Sequence, residues 1–388
     1  MKSEWQAARQ VITAIEAAGY EAVIVGGAVR DYYLNKASSD VDVATSALPT
    51  EVKAIFKQTV DVGIEHGTVL VLDAGEPIEV TTYRTESTYS DHRRPDEVVF
   101  VRSLAEDMQR RDFTMNAMAL NQNDEFIDLY GGRKDLDAGI ICAVGHADER
   151  FREDALRMLR AVRFCSQLGF TIEEQTLAAM QTHAATIAQI AVERVQVELS
   201  KLWCGDYVAR GMEALVDSHL AEHLPGRFDP QQWQLVQTDK RLVGWAYFCY
   251  VSSDASLMQQ YRCSNKDKLF VTQTLQAAEA LERGWCDWDY FLFELEVLHA
   301  AYLMRTWQGQ QPAFPLATIA ERKSSLPIQQ KSELAISGQH LLQWAGDKRG
   351  PWMKTALTAA LHGVVTGTLD NNVERLKDWF LHEFNDER

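Results

Sequence analysis

The sequence changes character near residue 140, and that break constrains the fold more than any other feature. Before it, AVIVGG (22–27), VDVA (41–44), TVLVL (68–72), IEVTTY (78–83) and VVFV (98–101) are runs rich in β-branched residues, which predicts short strands. Trp5, Ala8, Ile12 and Ile15 recur at helical spacing ahead of them, and short helices are expected after Gly27 and Pro49. After the break, strand signals fade and no proline occurs from 96 to 224. Segments 149–168, 172–189 and 191–204 carry helical periodicity. Nine of the ten tryptophans lie at or beyond position 203, and Trp and Leu at helical spacing mark core packing before a cofactor stack. The expected fold is therefore α+β: a mixed α/β domain over 1–137, then 138–388 all-helical in several consecutive modules. QGQQPAF (308–314), with Pro315 just beyond, predicts a break before the last module.

Composition removes several classes. A 46% hydrophobic share among 388 residues excludes wholesale disorder. No apolar run reaches the roughly eighteen residues that a membrane span needs. The first twenty residues have no apolar core and no small-residue cleavage site, so no secretory leader is expected. Six cysteines without a CxxC pair argue against a zinc ribbon or a disulfide scaffold and fit a reducing cytoplasm. The net charge of −16 disfavours non-specific polyanion binding. The charge is uneven, however: residues 1–137 carry −10 and residues 146–205 only −1. A shaped site for one RNA remains compatible with that distribution, because nearby charges dominate within a Debye length of about 10 Å.

GGAVRDYYLNKASSDVDVAT (26–45) carries the most chemistry. Gly26 and Gly27 close a strand and open a helix, where bare backbone N–H groups can approach an anion. Arg30, one turn on, can reach a phosphate. Asp40 and Asp42 flank Val41 in a predicted strand, so both carboxylates face one side. Two hard oxygen ligands on one face suit Mg²⁺, which takes a few carboxylates plus substrate phosphates. Two such ions about 4 Å apart can activate a hydroxyl nucleophile and stabilise a pyrophosphate leaving group. Glu79, on a neighbouring predicted strand, is the candidate third carboxylate. Two aspartates alone read more readily as a solvated strand edge; the Gly-Gly-x-x-Arg segment upstream reverses that in favour of the metal site.

GGAVRDYYLNKASSDVDVAT resembles motif A of the class II tRNA nucleotidyltransferases and bacterial poly(A) polymerases, within the polymerase-β-like superfamily. Four further segments resemble the family's other motifs, in its order. RRDFTMNAMAL (110–120) is similar to the ribose- and phosphate-contacting motif, and DLYGGRKDL (128–136) to the hinge-like motif that ends the head. EDALRMLRAVRF (153–164) is similar to the base-reading motif, and ERVQVELSKL (193–202) to the helical motif after it. Residues 326–352 also resemble the tail of the Bacillus-type CCA-adding enzymes; similarity is weaker from about 205 to 320. The resemblance implies a seahorse of four parts: a catalytic head (1–137), a helical neck with the base pocket (138–206), a helical body (207–305) and a helical tail that binds tRNA (306–388). It implies addition of C, C and A to the tRNA 3′ end from CTP and ATP, without a template and with release of pyrophosphate. The partners implied are CTP, ATP and the 3′ end and acceptor/T-arm region of tRNA, with no membrane.

The resemblance assigns base reading to Asp154 and Arg157, with Arg160 and Arg163 supporting the pocket. The four are three residues apart, and each step of three turns about −60° around a helix, so a continuous helix would carry them in a slow spiral. Cytosine and adenine both present an amino donor beside a ring-nitrogen acceptor. A carboxylate accepts from the first and a guanidinium donates to the second. Uracil and guanine reverse both, leaving buried groups unpaired at roughly 1–3 kcal/mol each. The competing reading of these arginines is a helix surface ion-paired with Glu149, Glu153 and Asp154.

By the same resemblance, Arg111 is a phosphate ligand, Asp112 selects the ribose 2′-OH, Asn116 supports that motif, and Gly27 and Arg30 bind nucleotide. RTESTYSDHRRPDEV (84–98) matches the loop the family needs to switch from C to A, which speaks against a CC-only enzyme. An A-only enzyme or a poly(A) polymerase stays open as the alternative. An inactive RNA-binding relative should have lost an acidic ligand, and Asp40, Asp42 and Glu79 are all present. His219 and His223 are four apart, but no further metal ligand accompanies them. Lys331, Lys348, Arg349 and Lys354 are tail cations that read individually as solvated charge, and Gly350–Pro351 reads as a helix boundary.

Overall fold

Helix α1 (Lys2–Ala17) opens the chain and buries Ala8, Ile12 and Ile15, as their spacing requires. The strands it covers are β1 (Ala22–Val25), β2 (Asp42–Thr45) and, further along, β5 (Ile78–Thr82). The structure is a computed structural model, described over residues 2–38, 40–86, 98–346 and 349–384. It divides into two compact units, residues 1–241 with 260–262, and residues 242–259 with 263–388.

In the first unit, α2 (Gly27–Tyr33) follows β1, and α3 (Pro49–Ile55) follows β2, at the two places the glycine and proline signals predict. β3 (Thr59–Gly63) and β4 (Thr68–Val71) precede β5. Then come β6 (Arg84–Glu86), β7 (Val98–Phe100), α4 (Leu104–Gln109), β8 (Met118–Leu120) and β9 (Phe126–Asp128). The main sheet runs β3-β4-β5-β2-β1-β8-β9. β2 and β5 are parallel while β1 and β2 are antiparallel, so the sheet is mixed. The parallel register Val43↔Val80 brings the start of β2 alongside Glu79. β6 and β7 form a separate pair at the two ends of the 84–98 segment; residues 87–97 lie outside the described residues.

The helical part begins with α5 (Gly132–Ala138) and departs from the all-helical expectation at one place. β10 (Ile140–Ile141) pairs in parallel with β11 (Thr171–Ile172). Two residues per strand are too few for a period-two pattern to register. A second departure matters more. Residues 149–168 are not one helix: α6 (Ala147–Glu153) stops at Asp154, which is extended (φ −145°, ψ 104°), and α7 (Leu156–Leu168) starts afresh. α8 (Glu174–His183), α9 (Val192–Leu202) and α10 (Val208–Asp217) follow. α10 ends at Asp217, and His219 beyond it is left-handed (φ 61°) and starts a 3₁₀ turn, so His219 and His223 share no helix face.

α7 packs against both α9 and α10. The approach is close because small residues meet there. A Cβ at Gly205 would fall 2.0 Å from Ser166 Oγ and 2.4 Å from its carbonyl oxygen. Ser166 in turn donates to the Leu202 carbonyl at 2.7 Å.

The second unit is helical: α11 (Arg241–Ser252), α12 (Leu257–Gln260), α13 (Asn265–Glu282), α14 (Asp287–Leu292), α15 (Leu295–Trp307), α16 (Thr318–Ser324), α17 (Gly338–Trp344), α18 (Trp352–Val365) and α19 (Val373–Trp379). α13 lies along α15, and Trp245, Tyr247, Phe248 and Leu298 are wholly buried. Trp203 and Trp233 of the first unit stack at 4.6 Å with both rings buried, so these tryptophans are core, as expected. The proline-bearing stretch falls between α15 and α16, and Pro351 begins α18.

The Gly205 contact gives a stability prediction. Gly205→Ala should destabilise the chain by about 1–3 kcal/mol, the usual cost of overpacking against backbone. Chemical denaturation followed by circular dichroism reads this, and an unchanged midpoint would refute the close packing of α7 with the 203–211 segment.

Candidate active site

One cavity of the first unit gathers most of the expected residues. Its walls include Gly26, Gly27, Arg30, Asp42, Arg111, Asp112, Asn116, Asp154, Arg157, Arg160 and Arg163. These come from α2, β2, the segment after α4, the α6–α7 break and α7, elements far apart in sequence. Asp40 and Glu79 are exposed beside it and are not among the wall residues.

At the acidic end, Asp42 opens β2. Val41 is buried while Asp40 and Asp42 are not, which is the alternation the DxD reading requires, although the strand begins only at Asp42. Burial, then the charges of Asp40 and Glu79, push the Asp42 carboxyl up to about 6, and Arg111 opposes them. Mutual repulsion of this kind is what a divalent cation relieves, and the donors are hard oxygens, so the residues fit a magnesium-type ion. Among the described residues, no three His, Cys, Asp or Glu side chains converge into a preformed cage. That suits an ion which completes its shell with water and substrate phosphates.

At the glycine end, Gly26 adopts φ 75°, and a Cβ there would meet Arg111 Nη1 at 3.2 Å. Glycine is required for both reasons. Arg30 does not swing free: it pairs with Asp31 at 2.8 Å, donates to Asn116 Oδ1 at 2.8 Å and lies over the Phe164 ring at 5.0 Å.

Asp112 sits at the centre and is 9% exposed. Its Oδ1 accepts from the Phe113 N–H at 2.8 Å and from Asn116 Nδ2 at 3.0 Å. Its Oδ2 accepts from Arg160 Nε at 2.8 Å and Nη2 at 2.6 Å. Burial resists ionisation, but the Arg160 charge and the Asn116 bond outweigh it and hold the carboxyl well below the ordinary carboxylate range. Four donors fill the four lone-pair positions of this carboxylate.

The α6–α7 break corrects the spiral expected of residues 154–163. Asp154 lies outside both helices and caps the second, accepting from the Leu156 N–H at 3.0 Å. Its other oxygen takes Arg194 Nη2 at 2.6 Å. Arg157 pairs with Glu153 at 2.7 Å and donates to the Arg110 carbonyl at 2.9 Å. Arg163 pairs with buried Glu198 at 2.5 Å and stacks on Phe164 at 4.0 Å. Of the pairs the ion-paired-surface reading expects, only Arg157–Glu153 forms, and Arg157 is buried against the cavity, so that reading fails for all three arginines.

His66, Arg84, Arg110, Phe164 and Arg194 also line the cavity, and sequence reasoning did not select them as site residues. Arg110 and Arg194 stood inside recognised motifs, so a residue-by-residue reading of those motifs was the available signal. His66 sits in the turn between β3 and β4 and carried no signal, while Arg84 opens β6 at the start of the recognised 84–98 segment.

Comparison with known proteins follows this geometry. Residues 22–142 match the poly(A) polymerase head domain, 169–229 an RNA- and SrmB-binding site of polymerase A, and 236–380 the tRNA nucleotidyltransferase domain 2. A CCA-adding enzyme of Lactiplantibacillus plantarum is 44% identical over 98% of this chain and 96% of its own. One from Geobacillus sp. strain WCH70 is 41% identical over 98% of both. This chain belongs to the CCA-adding enzyme family. The crystal structure of the Bacillus stearothermophilus CCA-adding enzyme in complex with CTP superposes with a TM-score of 0.91, at 38% identity, over 100% of this chain and 99% of that one. The nucleotidyltransferase family carries a divalent-metal dependence. No helix among the described residues is long and apolar enough to cross a membrane.

The Asp112 geometry sets a pH-dependent stability. Because its folded-state pKa is depressed, its ion pair contributes stability at pH values above the unfolded carboxylate value, near 4, and loses it as pH falls through the folded value. Asp112→Asn should therefore melt well below the parent at pH 7, and the gap should narrow as pH drops below about 4. A melting-temperature gap constant from pH 7 to pH 3 would contradict it.

Proposed function

We propose that this chain adds C, C and A in turn to the 3′ end of tRNA, taking CTP and ATP and releasing pyrophosphate. The observation carrying the proposal is one cavity whose walls hold Asp42, with Asp40 and Glu79 exposed beside it, together with Asp154, Arg157 and a row of arginines. The activity of the CCA-adding relatives supports it.

The roles follow from chemistry. Asp40 and Asp42, with Glu79 beside them, would hold Mg²⁺. When bound, that ion neutralises phosphate charge and lowers the pKa of a hydroxyl or water it holds. Gly27, Arg30 and Arg111 receive the triphosphate through backbone N–H and guanidinium donors. Asp154 accepts from the exocyclic amino group of C or A, and Arg157 donates to the adjacent ring nitrogen. Asp112 is the ribose 2′-OH acceptor; since its lone pairs are filled, that contact exchanges for one of the Arg160 donors. Arg163 fixes the wall through Glu198. The catalytic head is assigned to 1–137, the neck to 138–206, the body to 207–305 and a tRNA-binding tail to 306–388, with a cytoplasmic location.

Extension of a tRNA transcript lacking CCA, followed on a gel in Mg²⁺, tests the proposal. CTP alone should add two residues, CTP with ATP three, and UTP or GTP none. A single A added only to tRNA ending in CC would instead indicate an A-adding enzyme, and long A tails a poly(A) polymerase. Asp42→Ala should abolish every addition while tRNA binding persists. Asp154→Ala should admit U and G to a measurable extent; selectivity retained in that variant would move base reading to another group.

A further inference from the structure

Beneath the arginines of the cavity lies a carboxylate that none of these roles uses. Asp107, on α4, is 1% exposed. Its Oδ1 accepts from Arg110 Nε at 3.0 Å and Nη2 at 2.8 Å, and from the Arg84 backbone N–H at 3.3 Å. Its Oδ2 accepts from Arg111 Nη2 at 3.1 Å. Arg110 Nε also reaches the Arg84 carbonyl at 3.1 Å. Two guanidiniums and the root of β6 are thus tied to one buried anion.

For Arg111 this tie is decisive. Its Nε is buried with no hydrogen-bond partner, and Asp107 is the one hydrogen-bonded partner of its guanidinium among the described residues. Nη1 lies against the Gly26 turn. Asp42 already feels the Arg111 charge and is a competing anion for it. Without Asp107 the guanidinium would be drawn toward Asp42, where it would oppose a cation and leave the phosphate wall.

We infer that Asp107 is a positioning residue for the triphosphate: it holds Arg110 and Arg111 side by side and keeps Arg111 off the carboxylate cluster. The inference rests on the nucleotide reading of the cavity. Of the base-reading pair, Asp154 is anchored by Arg194 and Leu156 and Arg157 by Glu153, with only the Arg110 backbone carbonyl shared, so Asp107 acts on phosphate affinity before base choice. Asp107→Asn keeps the shape, removes the charge and turns an amide donor toward a guanidinium.

The test compares Asp107→Asn and Asp107→Glu with the parent in two assays. Calorimetry measures binding of CTP and of CMP without tRNA. Extension of tRNA ending in CC measures KM for ATP, kcat and inhibition by inorganic pyrophosphate. Loss of one charged hydrogen-bond anchor predicts about a tenfold weaker CTP affinity and ATP KM. Pyrophosphate inhibition should weaken by a similar factor, with CMP affinity and the preference for A over U held within about twofold. Asp107→Glu, which restores the charge, should recover most of the loss. Equal loss of CTP and CMP affinity would make Asp107 merely structural, and unchanged CTP affinity would remove it from the site; either overturns the inference. If Asp107→Asn does not fold, Asp107→Ser takes its place in the same comparison: it must weaken CTP but not CMP, and parallel or absent changes refute the inference. Should the parent extend no tRNA, the calorimetry still separates the two questions.

Discussion

Eight arginines face one cavity in this chain, and the arrangement stands only because each is held. Unpaired, they would repel one another and collapse onto the nearest carboxylates. Instead each has its own restraint: Asp31 and Asn116 for Arg30, the His66 carbonyl for Arg84, Asp107 for Arg110 and Arg111, Glu153 for Arg157, Asp112 for Arg160, Glu198 for Arg163 and Asp154 for Arg194. Most of these partners lie on a different element from the donor surface they restrain, or on the turn beside it. The network Asp31–Arg30–Asn116–Asp112–Arg160 alone joins α2, the turn before β8 and α7. Fixing the donors also fixes the packing of those elements. A site built this way has already met much of the entropic cost of orienting its side chains before a polyanion arrives.

The acidic end obeys the opposite rule. Among the described residues, Asp40, Asp42 and Glu79 have no ion-pair partner, and Asp42 carries the repulsion as a raised pKa. Arg111, which Asp107 restrains from the other side, opposes that repulsion. On the proposed reading, satisfied charges orient the substrate and unsatisfied ones admit the metal, which divides the site into two halves.

Much of this was legible because local chemistry and topology agreed. The glycine pair, the DxD alternation and the arginine steps each needed only residue type and spacing, and the cavity brings them together. Strands β3, β6, β8 and β9 were missed, the last three because each is only three residues long. β3 has a mostly exposed edge with little apolar contrast, and β8 is three residues long and wholly buried, so neither shows a period. The α6–α7 break was illegible because Glu-Asp-Ala-Leu contains no proline or glycine; tertiary partners impose it. Asp107 was overlooked since a lone aspartate three and four residues before two arginines reads as an ordinary helix pair, and only burial distinguishes it.

On the proposed base-reading role of Asp154, that break is where fold becomes selectivity. In a continuous helix, Asp154 would spend its backbone N–H and carbonyl on the ladder and turn its side chain with the helical face. Freed from both helices, it caps α7 through Leu156 and meets Arg194 from α9, so two donors from different directions fix the carboxylate plane. A carboxylate so held offers its remaining lone pairs in one direction, as an acceptor only. A base bringing an amino group there completes it; a base bringing a carbonyl oxygen leaves two acceptors face to face in a cavity that cannot rotate to relieve them. Discrimination then needs no template, because the penalty comes from an unmatched group that the structure has already immobilised.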